Sequence, residues 1–171
     1  RRKVVADKKA LTSWWEQIEK WRARKSFGFK QAGDIIKPQY ALQRLEALTK
    51  GMDRYITTEV GQHQMWAAQH FGFHEPNKWL TSGGLGTMGY GLPAAIGAQI
   101  AHPGALVIDI AGEASIQMNI QELGTIMEQN LDVKIIIMNN FELDERICTI
   151  PIGNRAYSSL HVASACFMLI I

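Results

Sequence analysis

Three clusters in this chain carry residue types that do chemistry. They are Gly112-Glu113-Ala114-Ser115 followed about two dozen residues later by Asn139-Asn140, the glycine run Gly84-Leu85-Gly86-Thr87-Met88-Gly89, and Glu59-Val60-Gly61-Gln62-His63-Gln64. A carboxylate and an amide carbonyl are hard oxygen ligands. They suit Mg²⁺, which takes few protein ligands and completes its shell with phosphate oxygens and water. Ser115 and the backbone amides after it are donors for phosphate. The first cluster therefore reads as a Mg²⁺–diphosphate clamp. The same residues also read as a turn capped by Asn-Asn and an acid favoured at a helix start, and spacing alone leaves both open. The glycine run fits G-x-G-x-x-G, and Asp109 follows Gly89 by twenty residues, where a ribose-binding acid is sought. An NAD-type Rossmann site on Gly84–Gly89 is thus the alternative. Against it, Pro76-Asn77-Lys78-Trp79-Leu80 makes a poor strand before the loop, and Asp109 sits inside an apolar run rather than at its end.

The elements that must position these clusters follow from periodicity. Thr12 or Ser13 caps a helix that begins at Trp14 and ends near Lys25–Gly28. Ile35 to Pro38 is extended, because the residue before proline avoids the helical region. Pro38 opens a second helix over Gln39–Lys50, with Leu42, Leu45 and Leu48 on one side. Tyr55-Ile56-Thr57-Thr58 is a short strand, and Gln64–Phe71 is helical. Thr81–Gly91 is irregular, and Leu92–His102 is a small, apolar helix suited to packing under a sheet. Ala105–Ala111 and Val133–Met138 are near-continuous apolar runs, as expected of strands covered on both faces, with a helix over Ile116–Gln129 between them. Alternating strands and helices predict an α/β fold: a doubly wound parallel sheet with flanking helices. Ligands of such sheets bind beyond the carboxyl ends of the strands, where Glu59–Gln64, Gly112–Ser115 and Asn139-Asn140 fall, while the glycine run precedes a helix.

Composition excludes several classes. The 171 residues are 47% hydrophobic and 20% charged, which rules out a wholly disordered chain. The longest apolar runs, Ala105–Ala111 and Val162–Ile171, are shorter than the roughly 20 residues of a membrane helix. No apolar leader follows Arg1-Arg2-Lys3, and two cysteines, Cys148 and Cys166, make no disulfide framework, so the expected setting is cytoplasmic. Residues 1–30 carry a net charge of +7 and the remainder −5. Trp14, Trp15, Ile18 and Trp21 recur at helical spacing among those basic residues. The arm reads as a solvated helix face rather than a nucleic-acid contact.

The ordered motifs identify a resemblance. Gly112-Glu113-Ala114-Ser115 with Asn139-Asn140 resembles the thiamine-diphosphate motif G-D-G…N-N. The stretches Thr57 to Gln69 and Trp79 to Gly97, with the run Gly61-Gln62-His63-Gln64-Met65-Trp66, resemble the large catalytic subunit of the acetolactate synthase (acetohydroxyacid synthase) family. The resemblance covers about Trp14 to Asn140. It implies the C-terminal thiamine-diphosphate-binding domain, with thiamine diphosphate and Mg²⁺ as cofactors. Gln62, His63 and the Val60-Gly61 backbone would approach the diphosphate, with Ala114 and Ser115 lining its site. Gly86 and Met88 would contact the aminopyrimidine, the Met88 side chain supporting a bent cofactor. Glu113 and Asn140 would hold Mg²⁺, joined by a backbone carbonyl from about Glu142.

The implied reaction condenses two 2-oxo acids, pyruvate with pyruvate or 2-oxobutyrate, with loss of CO₂ in branched-chain amino-acid biosynthesis. The cofactor carries the hard chemistry, and the protein supplies shape, metal and a dry site. A homodimer or tetramer and a regulatory subunit are the implied partners. Three departures stand out. Glu113 replaces the usual Asp. Phe141 onward leaves the family's Gly-Met-Val-Arg-Gln-Trp-type segment. The pyrimidine domain with its activating glutamate, and the FAD-associated domain, have no counterpart in these residues. The expectation is a partial chain: a helical linker over 1–30, a thiamine-diphosphate-binding domain over 31–140 and a divergent tail over 141–171, inactive alone. A non-catalytic remnant or interaction module is the further alternative.

Overall fold

The computed structural model describes residues 7–33 and 36–139. The chain divides into two compact units, Arg1–Lys30 and Gln31–Ile171. In the first, helix α1 spans Lys8–Arg22. It starts earlier than Trp14 because Asp7 is the cap: its carboxylate accepts from the Lys9 and Ala10 amides at 2.9 and 3.2 Å. Thr12, expected as a cap, instead donates its hydroxyl to the Lys8 carbonyl within the helix. Trp14 meets Trp21 edge to face at 5.6 Å, and no residue of α1 is buried.

Among its described residues, the second unit holds a four-stranded sheet. Its elements are α2 (Pro38–Thr49), β1 (Arg54–Thr58), α3 (Gln62–His70), β2 (Trp79–Thr81), α4 (Gly91–Ala101), β3 (Leu106–Gly112), a 3₁₀ turn (Ile116–Asn119), α5 (Glu122–Glu128) and β4 (Val133–Met138). Strand order is β2-β1-β3-β4, every pairing parallel. This is the doubly wound α/β fold with flanking helices that the alternation predicts. One face packs Ile56, Ile108, Ile110, Ile136 and Met138 against Leu42 of α2 and Ala67 of α3. The other packs Val107, Ala111, Val133 and Ile135 against Leu92, Ala95 and Ala98 of α4.

Further expectations are corrected. Residues 116–129 do not form one helix: the 3₁₀ turn ends at Asn119, and α5 is only seven residues long. The three-residue strand β2 does precede the glycine run, pairing with β1 from Ile56↔Trp79 to Thr58↔Thr81. The expectations for Ile35, Asn140, Glu142, Cys148, Cys166 and the tail 141–171 fall outside the described residues.

Leu42, Leu45 and Leu48 do not share one face. Leu42 is fully buried and Leu45 packs on the same cluster, whereas Leu48 is 66% exposed. At 100° per residue, six positions leave Leu48 about 120° off the stripe. Leu42→Ala should therefore destabilise the fold by about 2–5 kcal/mol, and Leu48→Ala by less than about 0.5 kcal/mol. Urea unfolding of both variants checks this; equal losses would show that α2 presents a different face to the sheet.

Candidate functional site

The sheet order reverses between β1 and β3. The chain leaves β1 for β2 on one side and returns from β2 to β3 on the other, so a crevice opens at the carboxyl ends of these two strands. The pair runs in register to Thr58↔Ile110. The segment after β1 turns sharply at Gly61, whose φ of +150° favours glycine, and enters α3. That turn swings the His63 imidazole back over both strand ends. A Cβ on Gly61 would lie 2.7 Å from His63 Cε1, and a Cβ on Gly112 would lie 2.7 Å from His63 Nδ1. Both glycines are thus required by the ring between them.

His63 is buried, and its ring hydrogen bonds the Glu59 backbone. Burial pushes its pKa down to about 4, against the opposing pull of that hydrogen bond. The imidazole is neutral at pH 7. Its Nε2 is buried with no hydrogen-bond partner among the described residues. A buried polar atom without a partner is costly, and here it sits at the switch point of the sheet.

The other singled-out residues that are described lie toward the same end of the sheet; Asn140 and Glu142 fall outside the described residues. Gly112 pairs with Met138, so Glu113 and Asn139 follow at neighbouring strand ends. Glu113 and Ala114 are half-buried. Ser115 is buried, and its hydroxyl turns inward, accepting from the Gly112 N–H and donating to the Gly112 carbonyl at 3.3 Å each. Val60, Gly61 and Gln62 are half-buried beside it. The glycine run folds back toward them: a Cβ on Gly86 would lie 3.8 Å from Val60 Cγ1. Ser82 shapes this loop, its carbonyl accepting from Gly86 N–H at 3.1 Å and its hydroxyl from Thr87 N–H at 3.0 Å. Met88 is half-buried and Gly86 exposed. Gln64 donates to the Thr81 hydroxyl at 2.7 Å, tying α3 to the start of the loop.

Sequence reasoning missed the role of Glu59 and passed over Asn119. Glu59 is fully buried, and its carboxylate accepts from Gly89 N–H at 2.7 Å and Leu92 N–H at 3.0 Å, across the start of α4. Asn119 donates its side-chain amide to the Gly89 carbonyl at 2.6 Å. Both partners lie thirty or more residues away, so no local pattern announces them. Asp109, considered as a ribose-binding acid, is fully buried within β3 and accepts from the Thr57 hydroxyl at 2.8 Å. It is out of reach of any nucleotide.

Burial pushes the Asp109 carboxyl up to about 8; Thr57 lowers it, and the nearby Glu59 charge adds to the rise. Burial likewise raises Glu59, against the pull of the backbone N–H groups of Leu92, Gly89, Gly91 and Tyr90. Folded Asp109 keeps a proton that the unfolded chain releases near pH 4, so its contribution to stability is lost as pH rises from about 4 to about 8. His63 works the other way: its folded form resists protonation, so stability falls as pH drops from about 6.5 toward 4. The Asp109 effect is therefore uncovered between about pH 6.5 and 8. Wild type should lose up to about 1.4 kcal/mol per pH unit there, and Asp109→Asn should remove most of that slope. Thermal unfolding across this window checks it; parallel slopes would show that Asp109 titrates normally.

Comparison with known proteins bears on this geometry. Residues 59–145 match the model of the thiamine pyrophosphate enzyme C-terminal TPP binding domain, a stretch that starts at Glu59 and holds all three clusters. The chain is 49% identical over 130 residues to the acetolactate synthase isozyme 3 large subunit of Escherichia coli, covering 76% of this chain and 22% of that protein. It is 48% identical to the acetolactate synthase large subunit of Haemophilus influenzae, with the same coverage. It is 54% identical to acetolactate synthase 2, chloroplastic, of Brassica napus, covering 76% of this chain and 20% of the relative. The chain spans about a fifth of the length of these relatives. With half its residues matched in one block around the β1–β3 crevice, the chain belongs to the thiamine pyrophosphate enzyme family, through its C-terminal TPP-binding domain.

Proposed function

We propose that this chain binds thiamine diphosphate and a divalent cation at the carboxyl ends of β1 and β3, as the diphosphate half of an acetolactate synthase site. The observation that carries the reading is His63, wedged between Gly61 and Gly112 at the sheet's switch point with Nε2 unpartnered. A buried orphan polar atom beside glycine-lined strand ends fits an entering polar group. The half-buried Glu113 supplies a hard oxygen at the same end. Mg²⁺ would take Glu113, with Asn140 and the Glu142 carbonyl completing the protein ligands. Val60, Gly61, Gln62, His63, Ala114 and Ser115 would surround the diphosphate. Gly86 and Met88 would carry the aminopyrimidine.

When bound, thiamine diphosphate supplies the nucleophilic carbon that decarboxylates one 2-oxo acid and joins it to a second. The residues of this chain bind and orient. The neutral His63 presents a ring nitrogen without adding fixed charge, and the left-handed turns at Gly86 and Gly89 present the loop backbone. Glu59 is occupied by backbone amides beneath α4 and is not free to act as a base. The family resemblance assigns proton transfer to a glutamate of a separate pyrimidine domain.

The same reading divides the chain into a helical linker over 1–30, a cofactor domain over 31–140 and a divergent tail over 141–171. It places FAD, a homodimer or tetramer and a regulatory subunit with the larger enzyme, in a cytoplasmic setting. No described helix is long and apolar enough to cross a membrane.

Calorimetric titration tests the reading. Thiamine diphosphate should bind only with Mg²⁺ and be displaced by inorganic diphosphate, whereas NAD should give no heat. Gly112→Ala, which pushes a methyl group into the imidazole, and Glu113→Gln should each weaken binding about 10–100-fold. Supplied with pyruvate, thiamine diphosphate and Mg²⁺, these 171 residues alone should form acetolactate at least about 10²-fold more slowly than with a complementing pyrimidine-domain fragment, for want of positioned proton transfer. NAD binding, or rapid acetolactate formation by the chain alone, would overturn the reading.

A further inference from the structure

Gly89 is held on both sides. Its N–H, part of the peptide that joins it to Met88, donates to Glu59 Oε2 at 2.7 Å. Its carbonyl accepts from Asn119 Nδ2 at 2.6 Å. Glu59 continues the end of β1, where its own N–H donates to the Ile110 carbonyl of β3 at 3.0 Å. Asn119 closes the 3₁₀ turn that begins directly after Gly112-Glu113-Ala114-Ser115. One residue of the glycine run is therefore clamped between the two segments that border the crevice.

The clamp is tight and directional. Gly89 has φ +85°, and a Cβ there would lie 2.7 Å from Asn119 Nδ2 and 2.9 Å from Met118 Cβ. The Asn119 amide is oriented in turn, because Gln121 Nε2 donates to its Oδ1 at 3.2 Å. The reverse orientation would set Oδ1 against the Gly89 carbonyl, two acceptors facing each other. Asn119 is half-buried, so its hydrogen bond is partly shielded from competing water.

We infer that Asn119 is a positioning residue: it ties the Gly86–Gly89 loop to the Gly112–Ser115 loop and so fixes the spacing between the aminopyrimidine and diphosphate halves of the site. This rests on the assignment of those two loops under Proposed function. The diphosphate contacts do not pass through Gly89, so loss of the tie falls on the pyrimidine half alone. A bent cofactor with one end seated and the other loop adrift loses affinity that inorganic diphosphate, filling only the seated end, retains.

The test compares Asn119→Leu, which removes the donor at similar size, with Asn119→Asp, which sets a carboxylate against the Gly89 carbonyl. Titrations use thiamine diphosphate and inorganic diphosphate separately, each with Mg²⁺, and amide hydrogen exchange is followed in the absence of cofactor. Both variants should bind thiamine diphosphate about tenfold more weakly, the effect of a lost hydrogen bond and a displaced loop, while inorganic diphosphate affinity stays within about twofold. Exchange at Gly86, Met88 and Gly89 should quicken, with Val133–Met138 unchanged. Equal weakening of both ligands, or unaltered exchange in the loop, would overturn the inference. If wild type binds neither ligand, the cofactor reading itself fails; the exchange result then decides by itself whether Asn119 holds the loop.

Discussion

A carboxylate with no access to water governs this architecture. Glu59 is fully buried, and burying an ionised group is costly unless its oxygens are satisfied. The acceptors find their donors in the N–H groups at the start of α4, which have no partner within the helix. The helix dipole favours a negative charge at that position. One interaction therefore meets two needs, and it locks the end of β1 to the start of α4. The cost is closeness: a Cβ on Gly91 would lie 2.5 Å from Asp109 Oδ1 and 2.7 Å from the Glu59 backbone nitrogen. Only glycine fits, and the small residues of α4 continue the same close approach to the sheet.

That lock explains why a second acid, Asp109, is tolerated in a central strand. With Glu59 nearby and no water, Asp109 keeps its proton near neutrality and shares Oδ1 with the Thr57 hydroxyl across the β1–β3 pair. A neutral acid and a satisfied carboxylate coexist where two charges would not. Both lie on the α4 side of the sheet, while His63 and the α3 contacts belong to the crevice end.

The sequence carried the scaffold more legibly than the site. β3 and β4 are near-continuous apolar runs, broken only by Asp109 and Lys134, and burial on both faces leaves that signature whatever they pack against. α2 was visible through Pro38, but its buried stripe was misjudged at Leu48, because three-residue spacing drifts away from a face set by 3.6 residues per turn. The span 116–129 was read as one helix. The Asn119 side chain instead reaches back to Gly89, and the 3₁₀ turn that presents it ends there before α5 begins. In the sequence Glu59 reads only as the polar start of the cluster after β1. Contacts between residues thirty positions apart leave no periodic trace, so the clamp on Gly89 becomes legible only once the strands are ordered. The cofactor motifs were recognisable as ordered strings, although Asn140 and Glu142 lie outside the described residues.

The glycine run shows why a motif needs its topology. In a dinucleotide-binding fold the G-x-G-x-x-G turn follows the first strand of the βαβ unit and sits at the switch point. Here the first strand is β1, and the turn after it is Glu59 to His63. Gly84–Gly89 instead follows β2, a three-residue edge strand. Its loop reaches the crevice from the side, folding back toward Val60, and the acid twenty residues on is sealed inside β3. The same spacing of glycines therefore serves a different task. It allows left-handed turns at Gly86 and Gly89, so that one loop crosses from the sheet edge to the crevice while its last peptide is held by Glu59 and Asn119. A phosphate-binding turn needs its amides free for the ligand; at Gly89 the N–H is already spent on Glu59, which removes it from that role.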